Sequence, residues 1–375
     1  MSDFNRRLPL IRFFIRLRRL LNRLFGREKT VYVDERVAEY RGYWSGAAKH
    51  LSAEFVNLSE DVWEVRLGDR RTRIANYVTE ADDPVTLHVA GDKPYCLRVA
   101  QNVGLPVALV GVYELGDWPQ MLSAFRAATG PLVVKPAAGS SSGLGITTQI
   151  ETQREFERAI VLASLYNPTI LIERSVPAES VRLLFLNGEM LHAVRRRGVR
   201  VEGDGSSTIR RLLRGIDHRS LETDRLCLHT LAVQGRSLDS VPERGRSILV
   251  RSIPTGDSQQ RELRTVYDES ITNLISPELR DRVSTLVQTL RCRFVGVDVL
   301  SNDPSVSLEK SGGVFLEINT TPGIHHHYHT VEERETHPVA VRVLEYLLNT
   351  APPITSNAVG VGAYEFNRPE GNIRG

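Results

Sequence analysis

Two stretches of the chain carry groups that could handle phosphate and a metal ion. In the first, Leu132-Val133-Val134-Lys135-Pro136 runs into Ala137-Ala138-Gly139-Ser140-Ser141-Ser142-Gly143-Leu144-Gly145, and Ile146-Thr147-Thr148 follows. A strand ending in a lysine leads into a loop of small residues, and a second strand returns. Glycines let backbone amides close on an anion. Ser140, Ser141 and Ser142 add hydroxyl donors, and Lys135 supplies a point charge suited to phosphate. Taken alone, the segment reads equally well as a glycine- and serine-rich turn beside an exposed lysine. It lacks the Gly-Lys-Ser/Thr and following helix of a Walker loop, and it does not open a helix as a dinucleotide fingerprint does.

The second stretch is a pair of acidic strands. Gly296-Val297-Asp298-Val299 ends one, and Phe315-Leu316-Glu317-Ile318-Asn319 forms the other. Side chains alternate along a strand, so Glu317 and Asn319 share one face while Leu316 and Ile318 share the other. If the Asp298 strand lies alongside, two carboxylates and an amide oxygen converge. Hard oxygen ligands of that kind suit Mg²⁺, or Mn²⁺, which bridges substrate phosphates. The competing reading is an ordinary alternating strand with one solvated face.

Those groups need strands and helices to hold them. Hydrophobic runs predict strands at 85–90, 105–110, 132–135, 146–150, 170–173, 180–187, 189–196, 294–300 and 314–319. Asn187-Gly188 is a hairpin turn signal. Helices are expected at 91–103, 118–128, 151–165 and 339–349. Residues 30–83 alternate short apolar runs with charged turns and read as a small α/β unit without visible chemistry.

Composition bounds the rest. The 375 residues suffice for two or three domains, and 41% apolar with 25% charged is an ordinary globular balance. Met1–Phe25 holds seven arginines and one aspartate, a net of +6 against +3 for the whole chain, so the body is at −3. A near-neutral body gives no case for nucleic acid. In the N-terminal arm Leu10, Phe13, Phe14, Leu17, Leu20, Leu21 and Leu24 recur at three- and four-residue steps, opposite Arg12, Arg16, Arg19 and Arg23. This predicts a basic amphipathic helix over residues 1–28, suited either to an anionic membrane surface or to packing on the body or a partner subunit. Cys96, Cys227 and Cys292 are too few and scattered for a disulfide framework, so a reducing, cytoplasmic setting is expected, with peripheral contact at the inner membrane face as a further option. Residues 351–375 read as a flexible tail.

Taken in order, the motifs are specific. Leu132–Gly145, the acidic hinge Ile170–Arg174, and Glu317-Ile318-Asn319-Thr320-Thr321-Pro322-Gly323 resemble the ATP-grasp carboxylate–amine ligases. Gly91-Asp92-Lys93, and Asn187-Gly188 followed after fourteen residues by Gly203-Asp204-Gly205-Ser206-Ser207-Thr208-Ile209, extend the likeness to the ATP-grasp module of the cyanophycin synthetases. It covers roughly Ala90 to Tyr328, with Arg210–Leu263 only loosely aligned. The resemblance implies an α/β (α+β) fold, with two lobes at 96–350 clasping ATP and a Rossmann-like unit at 29–95 before them. It implies that Lys93 and Lys135 hold ATP phosphates under a lid spanning about 130–175, and that Glu173, Arg174 and Val176 line the adenine. Arg182 and Arg196 face the terminal and acyl phosphates, and Asp298, Glu317 and Asn319 hold Mg²⁺. Ser180 stands where the family has an acid that grips the ribose, with Glu179 beside it, and Ala178 stands where the family has glycine.

The reaction implied is ATP-driven activation of a carboxylate and its coupling to an amine or thiol of a small molecule, in a homodimer like many similar enzymes. A nucleotide-dependent switch recruited to membrane and an ATP-grasp kinase are the rivals. The murein-ligase-like second half of cyanophycin synthetase is absent from these residues, which argues against synthesis of that polymer. The run His325-His326-His327-Tyr328-His329 could suggest zinc, but adjacent histidines rarely face one ion. In the resembled family this loop lines the acceptor pocket and often carries one His; here His325 and His327 are expected as the inward pair.

Overall fold

The computed structural model describes residues 8–14, 16–17, 31–139, 145–196, 198–215, 221–222, 225–251, 268–330 and 339–351. Residues 8–14 and 16–17 are helical (α1). Next come α2 (Val31–His50) and the strands β1 (Glu54–Asn57), β2 (Val62–Leu67), β3 (Arg70–Ala75) and β4 (Val78–Thr79), paired antiparallel in that order. The expected Rossmann-like unit is therefore not what these residues form. Parallel neighbours need a crossover of a dozen or more residues, and only Gly68-Asp69 separates β2 from β3. The apolar run Val31–Val33 opens a helix. Trp63, Val65 and Ile74 bury their side chains in one cluster with Tyr40, Trp44 and Ala48 of α2.

Residues 85–90, expected as a strand, form α3 (Pro84–Ala90), followed by α4 (Lys93–Asn102). The Asp83 carboxylate accepts from the Val85 and Thr86 amides, and Pro84 opens the helix. Cap and proline outweigh the β-branched residues here.

One lobe is an antiparallel sheet of β5 (Leu109–Glu114), β6 (Leu132–Pro136), β7 (Thr147–Ile150) and β8 (Thr169–Arg174), ordered β5-β8-β6-β7. It is backed by α5 (Trp118–Ala127) and α6 (Gln153–Ala163). Met121, Phe156, Ile160, Ile170 and Ile172 fill its core, and a capping box of Thr152 and Glu155 starts α6.

The other lobe pairs β9 (Ser180–Leu186), β10 (Glu189–Arg196), β13 (Glu269–Ser270), β14 (Phe294–Leu300) and β15 (Val314–Asn319) as β13-β10-β9-β14-β15. Asn187 and Gly188 adopt φ of 50° and 82° in the turn between β9 and β10, the left-handed pair that a two-residue hairpin demands. Between these strands, β11 (Val199–Glu202), β12 (Ser247–Arg251), α7 (Ile209–Gly215) and α8 (Arg225–Val233) enclose a small core of their own. Helix α9 (Pro277–Thr289) and α4 pack into the main core beside β9 and β14, with the short α10 (Leu308–Ser311) leading into β15. The closing helix α11 (Val339–Thr350) packs against α2. The lobes meet where Val107 bridges Phe315, whose amide donates to the Pro106 carbonyl at 2.8 Å. Among the described residues no helix is long and apolar enough to cross a membrane. Residues 18–28 of the expected N-terminal helix and the tail from 352 lie outside the described residues.

Candidate active site

Strand register builds the site. Asp298 on β14 stands opposite Arg182 on β9 and, on its other side, opposite Glu317 on β15. Like charges directly opposite each other destabilise a sheet, so this pair needs cations. Arg182 supplies one, donating Nε and Nη2 to the two Asp298 oxygens at 2.7 Å each. Lys93, in the first turn of α4, supplies the other, with Nζ 2.8 Å from Glu317 Oε2. The Asn319 amide donates to Asp298 Oδ2 at 3.1 Å.

The phosphate-loop strand meets these acids at the seam. Val133 faces Glu173 across β6 and β8, so Lys135, two residues along, shares that face. Its Nζ lies 2.8 Å from Glu173 Oε1, with both side chains 5% exposed, and 3.5 Å from the Leu316 carbonyl. The Lys93 amide donates to the Ala137 carbonyl at 3.1 Å, which ties α4 to the start of the loop.

The electrostatics follow from this crowding. Burial pushes the Asp298 carboxyl up, but Arg182, Arg196 and Asn319 together hold it below the usual carboxylate range. Glu317 is likewise held low: burial and Asp298 work against ionisation, and Lys93 and Lys135 outweigh them. Burial weakens the Lys93 ammonium, and Glu317 more than restores it. Elsewhere burial pushes the Cys96 and Cys292 thiols up to about 12, which leaves them inert as nucleophiles.

The donor set suits a hard divalent cation. Two carboxylates and the Asn319 amide converge where cations already neutralise them. Among the described residues no group of three or more His, Cys, Asp or Glu forms a ready-made metal site, so phosphate oxygens would complete the coordination, as is common for Mg²⁺.

Other expected residues fall at the rim. Gly139 and Gly145, with φ of 73° and 79°, bracket the loop, while Ser140, Ser141, Ser142 and Gly143 lie outside the described residues. Arg174 ends β8 exposed, its amide on the Ala108 carbonyl, and the Val176 carbonyl accepts from Ala178. Ser180 opens β9 opposite Arg196 of β10 and Leu300 of β14. Glu179 turns away to pair with Arg195 at 3.4 Å, so it does not share the face of Ser180.

The histidines diverge. Ile324–His327 is a 3-10 turn in which His325, His326 and His327 are all buried. His325 Nδ1 meets the Tyr40 hydroxyl at 2.8 Å, His327 Nδ1 meets His192 Nδ1 at 2.9 Å, and His326 faces Asp268 at 3.9 Å. Burial does not single out the expected pair, since His326 is buried with them, and each ring is held by a different element. Sequence reasoning overlooked Tyr40, His192 and Tyr166. His192 does share the β10 alternation with Arg196, a signal that was readable. Tyr166 packs on Gly145 from beyond α6, which nothing local announced.

Residues 99–205 match the family described as the D-ala D-ala ligase C-terminus. The chain is 27% identical over 278 residues to the cyanophycin synthetase of Crocosphaera subtropica, covering 69% of this chain and 30% of that protein. It is 24% identical over 216 residues to the glutathione biosynthesis bifunctional protein of Streptococcus mutans, covering 52% and 27% respectively. The chain thus spans less than a third of the length of either relative. Among solved structures, a bifunctional glutathione synthetase from Pasteurella multocida superposes with a TM-score of 0.53 at 17% identity, over 80% of this chain and 44% of that one; a likeness at that identity speaks to the fold.

Proposed function

We propose that this chain, an ATP-grasp protein by its motifs, its two sheets and its relatives, is an ATP- and Mg²⁺-dependent ligase that joins a carboxylate to the amine of an amino acid or small peptide. One observation carries the reading: Lys93 pairs with Glu317 and Arg182 with Asp298 at the seam of the two lobes, while Lys135, paired with Glu173, reaches the Leu316 carbonyl beside them. A module that only sensed nucleotide would have no use for so costly a buried set of charges.

The chemistry asks for charge neutralisation and positioning rather than a protein nucleophile. A carboxylate oxygen attacks the γ-phosphorus of ATP and the bond to the β-phosphate oxygen breaks, releasing ADP. The amine then attacks the carbonyl carbon of the acyl phosphate. The C–N bond forms, phosphate leaves with the C–O electron pair, and the amine loses a proton. Lys93 and Lys135 would transfer from their carboxylates to phosphate oxygens, and Arg182 and Arg196 would face the charge that develops on the transferring group. Held by Asp298, Glu317 and Asn319, Mg²⁺ would supply neutralisation of the phosphates.

The test is a matrix of carboxylates and amines read by ADP release, phosphate release and product mass. Amine-dependent phosphate release is the expected result; phosphate retained on the carboxylate product would instead make the protein a kinase. Glu317→Gln should lower turnover by about a hundredfold or more, on the scale of losing one electrostatic contact to a transition state, a far larger effect than its loss of stability from the Lys93 pair.

The N-terminal helix points to a setting. Leu8 is buried and Arg12 Nη2 donates to the Ser164 carbonyl at 2.7 Å, while Leu10, Phe13, Phe14 and Leu17 face outward. An apolar outer face on a segment of net +6 fits peripheral contact with an anionic membrane surface from the cytoplasmic side. Flotation with phosphatidylglycerol vesicles, and its loss in Phe13→Ser/Phe14→Ser, checks this. The homodimer suggested by the resemblance is checked by sedimentation of the same preparation.

A further inference from the structure

The loop that follows the acidic strand is held from outside the two nucleotide lobes. Gly323 closes the run Asn319–Gly323, and a Cβ built on it would lie 2.6 Å from the His325 ring and 3.2 Å from the Tyr40 hydroxyl. Tyr40 is 1% exposed on α2, in the N-terminal unit that the ATP-grasp motifs do not include. Its hydroxyl is 2.8 Å from His325 Nδ1. One turn further along α2, the Tyr43 ring stacks on Tyr328 with centroids 4.2 Å apart, and Glu39 lies 2.7 Å from His329 Nε2. Upstream, Pro322 backs Gly296, whose built Cβ would lie 3.3 Å from the Pro322 Cβ and 3.6 Å from the Asn319 Cβ. Gly296 itself pairs with Asn319 and lies two residues before Asp298. An unbroken line of contact thus runs from α2 through His325, Gly323 and Pro322 to the proposed metal ligands.

We infer that Tyr40 is a positioning residue for the ligation step: through His325 it fixes residues 320–327, and with them the wall against which the amine substrate is aligned. The inference rests on the ligase reading, in which this loop adjoins the acceptor. It makes the N-terminal unit a working part of the site. The chemical reason is the stiffness of the tie. A buried hydrogen bond between a phenol and an imidazole, packed against a glycine with no side chain to yield, leaves the loop few alternative positions, and small misplacements of a reacting amine cost large factors in rate.

Tyr40→Phe removes one oxygen and keeps the ring. In the full chain with Mg²⁺ and ATP, it should raise the amine KM or lower kcat by about tenfold, the scale of one lost buried hydrogen bond, and leave the ATP KM within about twofold. Amide hydrogen exchange across 320–329 should quicken by a similar factor. His325→Asn places an oxygen or nitrogen where Nδ1 stood and should keep most of the protection, whereas His325→Gln, which places its polar atoms near Nε2, should not. Unchanged exchange in Tyr40→Phe, or a rise in ATP KM as large as in amine KM, overturns the inference. Should the parent protein show no amine-dependent turnover, the ligase reading fails on its own account. The exchange comparison among the three variants still decides whether Tyr40 holds the loop.

Discussion

Two groupings of carboxylate and arginine invite comparison. On α7, Arg210 and Arg214 reach Glu222 at 3.2 and 2.6 Å, and Arg210 also reaches Asp239. At the seam, Arg182 clasps Asp298 at 2.7 Å. The bond lengths are alike and the surroundings are not. Glu222, with its carboxyl drawn down to about 2 by Arg214, keeps 13% of its side chain exposed, and its arginines are 36% and 55% exposed, so water competes and salt screens from their side. Asp298 and Arg182 are 6% and 7% exposed, so water does little to screen their attraction. A buried ion pair is poor value for stability compared with apolar packing. Its place at the joint of two lobes, beside a second acid, is where the proposed ATP and Mg²⁺ would draw on the same charges.

The largest separation between the two groupings should come from Asp298→Ala. Removing it leaves the Arg182 guanidinium buried and unpaired by its acid, a loss of about 3–5 kcal/mol together with all detectable turnover. Glu222→Ala should leave turnover unchanged and the denaturation midpoint within error. Equal effects in chemical denaturation would erase the distinction. Next in size is Gly145→Ala. Its φ is +79°, and the new methyl would lie 2.6 Å from the Tyr166 ring. The loop entrance must shift, so the ATP KM should rise by about tenfold or more while α7, which packs in a separate core, is untouched.

The smallest effect is in acid. Asp298 and Glu317 have carboxyls held below their ordinary values in the folded protein. Such groups add stability that is present above the unfolded carboxylate range near pH 4 and is lost as pH falls through the lowered folded values. Melting from pH 6 to pH 3 should therefore show a decline that 1 M salt hardly alters and that shrinks in Glu317→Gln. An acid response abolished by salt would assign it to exposed pairs such as Arg214–Glu222 instead.

Part of the site could be read from alternation. Glu317 and Asn319 share one face of β15, and the antiparallel pairing of β14 and β15 sets Asp298 opposite Glu317, whereas Lys135, which shares its face with Val133, was signalled by the small-residue loop that follows it. The Asn187-Gly188 hairpin was equally plain because both residues tolerate positive φ. What failed did so for identifiable reasons. Val85–Ala90 looks like a strand until Asp83 and Pro84 are weighed as a helix start. The meander of β1 to β4 was mistaken because turn lengths were not weighed against the crossover that parallel strands require. Tyr40, His192 and Tyr166 act across 285, 135 and about 20 residues of chain respectively, and no local pattern encodes a partner at that distance.

The placement of β9 carries a last consequence. One edge pairs with β10 through a two-residue turn, while the other pairs with β14, whose Asp298 lies 116 residues beyond Arg182. During synthesis the hairpin can close early, yet its second edge stays open until β14 (Phe294–Leu300) emerges from the ribosome. Throughout that interval the apolar strand that carries Arg182 awaits β14, and an open edge of this sort invites mispairing. Ribosome-stalled chains ending before Phe294 should accordingly stay sensitive to protease and lean on chaperones, and those extended far enough for β15 (Val314–Asn319) to clear the exit tunnel should not.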